Sequence, residues 1–238
     1  MIVIPARNEA PRIGGVVAGL RALYPDVPIV VVENGSADRT AHEAALAGAR
    51  VLHSARGYAR ALRTGFIHAL RSGAPWIVQM DGDGQHPPAS VAPLREALAT
   101  ADLVVGSRFV AEPGYAVPTD RRVAIHALGR WASVCAGQPL RDVTSGYRAW
   151  RPDALAMMVA DYPEDVADAN VLVRAVKRGL VVREMAVPMA ERSGGVSMHT
   201  PASGFRFALR MAVLTGWEAV REQQSVRIAP GSFDGSGA

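Results

Sequence analysis

Five short apolar runs, four of them followed by an amphipathic stretch, constrain the fold of this 238-residue chain more than any other feature. The runs are residues 2–4, 28–32, 50–52, 76–80 and 103–106, and the amphipathic stretches are 13–23, 38–47, 59–70 and 90–98. Continuous apolar strands alternating with helices predict a mostly parallel sheet covered on both faces, a doubly wound α/β architecture. In such sheets ligands sit beyond the carboxyl ends of the strands. Chemistry is therefore expected in the loops Pro5-Ala6-Arg7-Asn8-Glu9, Glu33-Asn34-Gly35-Ser36, Arg56-Gly57-Tyr58, Asp81-Gly82-Asp83 and Ser107-Arg108.

The fourth loop carries the sharpest signal, VQMDGDGQHPP, which sets Asp81 and Asp83 one residue apart directly after a buried run. Paired acids there repel each other and lose hydration unless a cation, a ligand or a turn compensates. An Asp-Gly turn is one explanation. The other is a site for Mg²⁺ or Mn²⁺: two carboxylates with Gln85 close by supply hard oxygen ligands, and such ions complete their octahedron with water and ligand phosphates. A metal so placed neutralises charge on a phosphate leaving group. Glu33-Asn34-Gly35-Ser36 reads both as a strand-to-helix turn capped by Ser36 or Asp38 and as a site where Glu33 accepts hydrogen bonds from a ribose or base. His86 beside the acids is either a turn residue or a participant. His53, His68, His126 and His199 have no partner at metal-ligand spacing. Ala61, Gly65 and Ala69 line one helical face, which close packing on the sheet explains.

Composition excludes several classes. The charge of +4 comes from 26 basic residues, all arginine except Lys177, scattered along the chain. Scattered arginine suits phosphate-bearing small ligands or an anionic surface, and without aromatic-basic interleaving no nucleic-acid partner is expected. A lone cysteine, Cys135, rules out an internal disulfide or thiolate metal site. The chain opens at Ile2-Val3-Ile4-Pro5 without a basic leader, and no window approaches the ~20 apolar residues of a membrane span. A cytoplasmic protein is expected, with at most peripheral membrane contact.

The second half is less regular. Residues 109–119 include AEPGYAVPT, read as a flap. Then come a helix at 122–136, the polar loop Arg141-Asp142-Val143-Thr144-Ser145-Gly146-Tyr147-Arg148, a helix at 166–178, a strand at 181–187, a glycine-rich segment at 192–197 and an amphipathic helix at 205–221. Residues 227–238 are expected to be disordered.

Taken together, VIPARNE, VVVENGSADRT, the Gly57-x-Ala-x-Ala61 helix start, MDGDGQHPP, VGSR, DVTSGYR and EMAVPMAERSGGVS resemble, in order, the motifs of the family 2 glycosyltransferases. The likeness is greatest to the dolichol-phosphate mannose synthase branch and its bacterial polyprenyl-phosphate relatives. The resemblance implies a GT-A fold over residues 1–226, with 1–108 binding the nucleotide sugar and 109–226 the acceptor. It implies inverting transfer from a nucleotide diphosphate sugar of the UDP or GDP type. Pro5, Arg7, Glu9, Glu33 and Gly57 would line the nucleoside side, and Asp81, Asp83 and Gln85 would hold Mg²⁺ or Mn²⁺ with the diphosphate. Ser145 and Arg148 would shape the sugar pocket with Asp142 nearby, and Arg192 and Ser197 would close over the donor. Arg108 with Arg121 or Arg122 would receive an acceptor phosphate.

This chain departs from the family pattern in three ways: Glu33-Asn34 replaces a usual Asp-Asp pair, Met198 stands where a lysine is common, and C-terminal membrane helices are not seen. A lipid acceptor would then be met at the bilayer surface through Phe205, Arg206, Phe207 and Arg210. The acceptor sets the chemistry. A polyprenyl phosphate is already anionic and needs only cations to align it, whereas a hydroxyl of a small molecule needs a carboxylate base, for which Asp165 in Tyr162-Pro163-Glu164-Asp165 and Asp142 are the candidates. Glu164 and Asp165 also suit a helix N-terminus electrostatically. A catalytically silent nucleotide-sugar-binding protein is a further alternative. A dinucleotide oxidoreductase is disfavoured because the first turn lacks G-x-G-x-x-G.

Overall fold

The structure, a computed structural model, describes residues 1–110, 119–190 and 201–221, and the side chains of all of these except 119–121 and 201–206. The AEPGYAVPT segment before Thr119, Arg192, Ser197, the side chains of Arg121, Phe205 and Arg206, and the expected tail at 227–238 lie outside what it describes.

Seven strands form one sheet: β1 (Ile2–Ala6), β2 (Ile29–Glu33), β3 (Arg50–His53), β4 (Ile77–Gln79), β5 (Leu103–Ser107), β6 (Arg148–Trp150) and β7 (Val182–Ala186), in the spatial order β3-β2-β1-β4-β6-β5-β7. The helices are α1 (Ala10–Leu23), α2 (Thr40–Leu46), α3 (Tyr58–Arg71), α4 (Val91–Ala97), α5 (Thr119–Ala136), α6 (Pro152–Val159), α7 (Ala169–Lys177) and α8 (Pro201–Val220). All five apolar runs are strands, and β1 is buried along its whole length because helices cover both faces. Two apolar layers result. One packs α3, α5, α6, α7 and α8 on the sheet, with Phe66 set edge-on against Trp150 and Tyr162. The other packs α1 and α4 on the opposite face, around Ile4, Ile13 and Val17. The small-residue face of α3 behaves as expected, since a methyl on Gly65 would lie 2.3 Å from a Val3 side-chain carbon.

Two elements differ from expectation. β6 runs antiparallel to both its neighbours, β4 and β5, and is followed by α6; neither element stands out in the sequence. The helix expected from 166 begins at Ala169, so Asp168 occupies its N-cap position. The reversal of β6 positions the site. Its first residue, Arg148, pairs with Gln79, the last residue of β4, and with Val105 in the middle of β5, so the loop before it emerges at the edge where the β1, β2, β4 and β5 loops converge.

Candidate active site

At that edge a cavity of about 540 Å³ is lined by Pro5 to Glu9, Arg12, Asn34, Arg56 to Tyr58 and Asp81 to Asp83. It lies over the junction of β1 and β4, where the strand order reverses, the usual ligand crevice of such sheets. The loops after β1 and β2 are stitched into one wall. Asn8, at φ 55°, donates from its backbone to Ser36 Oγ at 3.1 Å and accepts from Ala37 at 2.9 Å, while Glu9 donates to Thr40 Oγ1 at 2.8 Å. Ser36 thus joins the two loops and caps no helix.

Asp81 and Asp83 form the floor. Asp81 Oδ1 accepts from the Tyr58 hydroxyl at 3.0 Å, and that hydroxyl accepts from Gln79 Nε2 at 3.2 Å. Burial, with Asp81 beside it, pushes the Tyr58 phenol far above its ordinary range, so it remains a donor. The Asp81 carboxylate also leans on Gly146: a Cβ there would stand 2.6 Å from Oδ2. Beneath the turn, His86 is stacked on Tyr147 with centroids 4.7 Å apart, and its Nδ1 accepts from the Asp81 backbone at 3.0 Å. Burial lowers its pKa to about 4, so the ring is a neutral brace whose proton resides on Nε2.

Two oxygen-bearing acids from one turn, both facing the cavity, suit a hard divalent ion that takes its other ligands from water and a diphosphate. Among the described residues there is no preassembled group of three metal-ligating acids, histidines or cysteines. Gln85, expected beside the acids, is not among the residues that line the cavity. Its amide donates to Ala190 O at 3.2 Å, and its backbone donates to Asp83 Oδ1 at 3.1 Å, so it ties the turn to the segment after β7.

Other expected site residues are displaced from the cavity for equally physical reasons. Glu33 does not line it: one carboxylate oxygen accepts from the Ser36 backbone and the other lies 3.2 Å from His53 Nδ1. Burial raises the Glu33 pKa, but these bonds outweigh it and the net shift is downward. Asn34 faces the cavity instead, buried, with a side-chain oxygen that has no hydrogen-bond partner among the described residues. Ser145 is buried and donates to Gly106 O at 2.6 Å. Arg148 is fully buried, its guanidinium donating to the backbone oxygens of Val143, Ser145, Ala167 and Asp168. It welds two loops together under the site and offers no surface to a sugar.

Asp142 is completely buried as well, and its oxygens accept from Arg108 Nε at 2.8 Å and Nη2 at 2.6 Å. A carboxylate so enclosed holds Arg108 in place and has no route to an acceptor proton. Arg108 also donates to Thr144 Oγ1 at 2.8 Å, which fixes its guanidinium at the end of β5. Asp165 turns outward and pairs with Arg210 at 2.8 Å, both side chains being well exposed. Arg122 is exposed on the first turns of α5.

The structure brings in Asp168, which the sequence hid behind the more conspicuous Glu164-Asp165. Burial raises its carboxyl pKa to about 6; Arg148 opposes that rise, and the nearby Asp81 adds to it. Tyr58 was expected only as part of the Arg56-Gly57-Tyr58 loop and without a role; directly after Gly57, which has φ 141°, it opens α3 facing the fourth-strand loop.

Comparisons with known proteins agree with this geometry. A family model described as glycosyl transferase family 2 matches residues 1–134. The chain is 34% identical over 212 residues to the polyprenol monophosphomannose synthase of Mycolicibacterium smegmatis, covering 83% of this chain and 79% of that protein. It is 32% identical over 210 residues to the undecaprenyl-phosphate mannosyltransferase of Micrococcus luteus, covering 83% and 86%. Among solved structures, glucosyl-3-phosphoglycerate synthase from Mycobacterium tuberculosis, crystallised with Mn²⁺, uridine diphosphate and phosphoglyceric acid, aligns with a TM-score of 0.69 over 94% of this chain and 79% of that one, at 18% identity. That likeness is one of fold, the GT-A arrangement. With more than half of its length matched by the family model and relatives above 30% identity over most of both chains, the chain belongs to glycosyl transferase family 2.

Proposed function

We propose that the protein transfers a sugar from a nucleotide diphosphate donor to a polyprenyl phosphate, with a divalent ion held by Asp81 and Asp83. The observation that carries the donor half is the cavity floored by the two acids and walled by Asn34, Arg7, Asn8, Glu9 and Arg12. The names of the two relatives above, which act on polyprenyl phosphates, support the acceptor half. A bound Mg²⁺ or Mn²⁺ supplies charge neutralisation to the departing nucleoside diphosphate.

The chain's own residues do the rest. Tyr58, His86 and Gly146 set the orientation of Asp81. Asn34, two strands and roughly 10 Å along the sheet from the acids, lines the nucleoside end of the cavity, where its buried side-chain oxygen still lacks a donor among the described residues. Arg108, buried and locked by Asp142 at the end of β5, would supply positive charge on the acceptor side, where an anionic phosphate needs alignment and no base. Loss of a metal ligand removes about 3 kcal/mol of transition-state stabilisation, so Asp83→Ala is expected to lower transfer about 100-fold while leaving the circular dichroism spectrum unchanged. The assay is formation of an acid-labile glycosyl phosphate from detergent-dispersed polyprenyl phosphate with Mn²⁺. Wild-type turnover in the variant would refute the assignment of the acids.

One observation favours a second reading, transfer to a hydroxyl. Asp168, with a carboxyl near pKa 6 beside the acid floor, is where a general base would be tuned. On that reading activity rises with pH through about 6 as the carboxylate forms, and Asp168→Asn removes both the limb and most of the rate. Unchanged transfer to polyprenyl phosphate by Asp168→Asn, with a flat profile across that range, eliminates it.

A further inference from the structure

Eleven large apolar side chains are exposed among the described residues, and seven of them lie on just two helices, α5 and α8. On α8 the residues Leu209, Val213, Trp217 and Val220 are spaced i, i+4, i+8 and i+11, so they fall on one stripe, and each is more than half exposed. On α5, Val134 is 76% exposed and Trp131 is 44% exposed. The two stripes form one surface because Trp131 crosses between the helices. Its indole N–H donates to Ala212 O at 2.9 Å, and its ring lies so close to Gly216 that a Cβ there would stand 3.1 Å from it.

The exposed charges carried by the two helices are of one sign, although Arg210 is already paired with the exposed Asp165 beside α8. Among the described side chains of α5 and α8, the exposed charged groups are Arg122, Arg130 and Arg210. The one acid described on them, Glu218, is buried and held by Arg174 at 2.9 Å. A second copy of this chain docking across a two-fold axis would set arginine against arginine. An anionic lipid surface complements the face: arginines meet headgroups, aliphatic side chains enter the acyl boundary, and tryptophans prefer that depth.

Position strengthens the case. The same α5 reaches the site, because His126 on it touches the Phe109 ring at 4.9 Å between centroids and the Arg108 guanidinium sits 5.6 Å from that ring's centre. From α8, Arg210 reaches Asp165 in the loop that leads to Asp168.

We infer that the α5–α8 face docks the protein on an anionic bilayer, lying flat in the headgroup region, with the acceptor side of the site at the membrane surface. This rests on the polyprenyl-phosphate reading for its purpose, but the docking can be measured without any acceptor.

The test uses the full chain and vesicles of phosphatidylcholine with or without phosphatidylglycerol, free of polyprenyl phosphate. The wild type is expected to sediment with the anionic vesicles about tenfold more than with the neutral ones, to detach as salt is raised, and to show a blue-shifted tryptophan emission on binding. Val213→Asp combined with Trp217→Ser is expected to reduce that binding about tenfold while leaving transfer to a short, water-soluble polyprenyl phosphate unchanged. No preference for anionic vesicles by the wild type, or binding untouched by the double variant, overturns the docking face whatever the transfer assay gives. A dimer in solution that the double variant converts to monomer also overturns it, by assigning the surface to a second copy. Failure of transfer to every polyprenyl phosphate, with vesicle binding intact, instead strikes the acceptor reading and leaves the docking face standing.

Discussion

Gly146 matters because of the side chain it lacks: its Cα gives the Asp81 carboxylate and the Tyr58 hydroxyl the room that a methyl would take, at 2.6 and 2.8 Å. Both neighbours are side-chain tips, so Gly146→Ala should fold and displace Asp81. A loss of Mn²⁺ affinity of about 10–100-fold is expected, measured by titration of the purified protein; unaltered affinity would show that Asp81 needs no such seat. At this scale the sequence reveals residue type but not direction. The place of Asp81 and Asp83 in the cavity was legible because acids at the end of a buried strand have few structural uses. Ser145, Arg148 and Asp142 sit in an equally polar loop, yet they point inward, the first two satisfying backbone oxygens and Asp142 holding Arg108. Gly57-x-Ala-x-Ala announced a tight helix start, but nothing in it distinguished Tyr58 as the residue that would meet Asp81 across 23 positions of chain.

Among the elements, α7 and α8 are clasped by charge as well as by packing. Arg174 and Glu218 are each 5% exposed and form a two-point ion pair, while Arg178 and Arg221 both reach Asp161. Removing one member of a buried pair strands the other, at a cost of about 3 kcal/mol where a second partner is near, as Asp161 is for Arg174. Glu218→Gln is therefore expected to lower the melting temperature by roughly 6–12 °C in a chain of this size, read by differential scanning calorimetry. A shift within 1–2 °C, on the same scale, would mean that packing alone holds α8. The long elements were legible because their periodicity is strong: α3 and α8 fall within a few residues of where the apolar spacing puts them. β6, only three residues long and antiparallel, carries no alternation to read, and Pro152, which opens α6, looks like a loop residue until its N-terminal position is known.

For the molecule as a whole, the site is a property of the sheet edge and not of any one segment, which makes ligand binding a global stabiliser. A nucleotide sugar with Mn²⁺ at 100 times its dissociation constant should add about 2.7 kcal/mol and raise the melting temperature by roughly 5–11 °C. A panel in which every donor leaves the transition in place, metal present, would sink the cavity as the donor site. The strand order could be anticipated only in part, since alternation specifies a parallel sheet but not which later strand is inserted between β4 and β5. That insertion also bears on synthesis. A ribosome that has released the first five strands holds β4 and β5 as unmatched borders, each able to recruit a foreign backbone, until Arg148-Ala149-Trp150 emerges to close the gap between them, and the other border of β5 stays open until β7 pairs with it. The nascent chain thus passes through a sticky interval that Arg148-Ala149-Trp150 shortens and Val182–Ala186 ends, so chaperone demand should fall in two steps as these two short strands emerge.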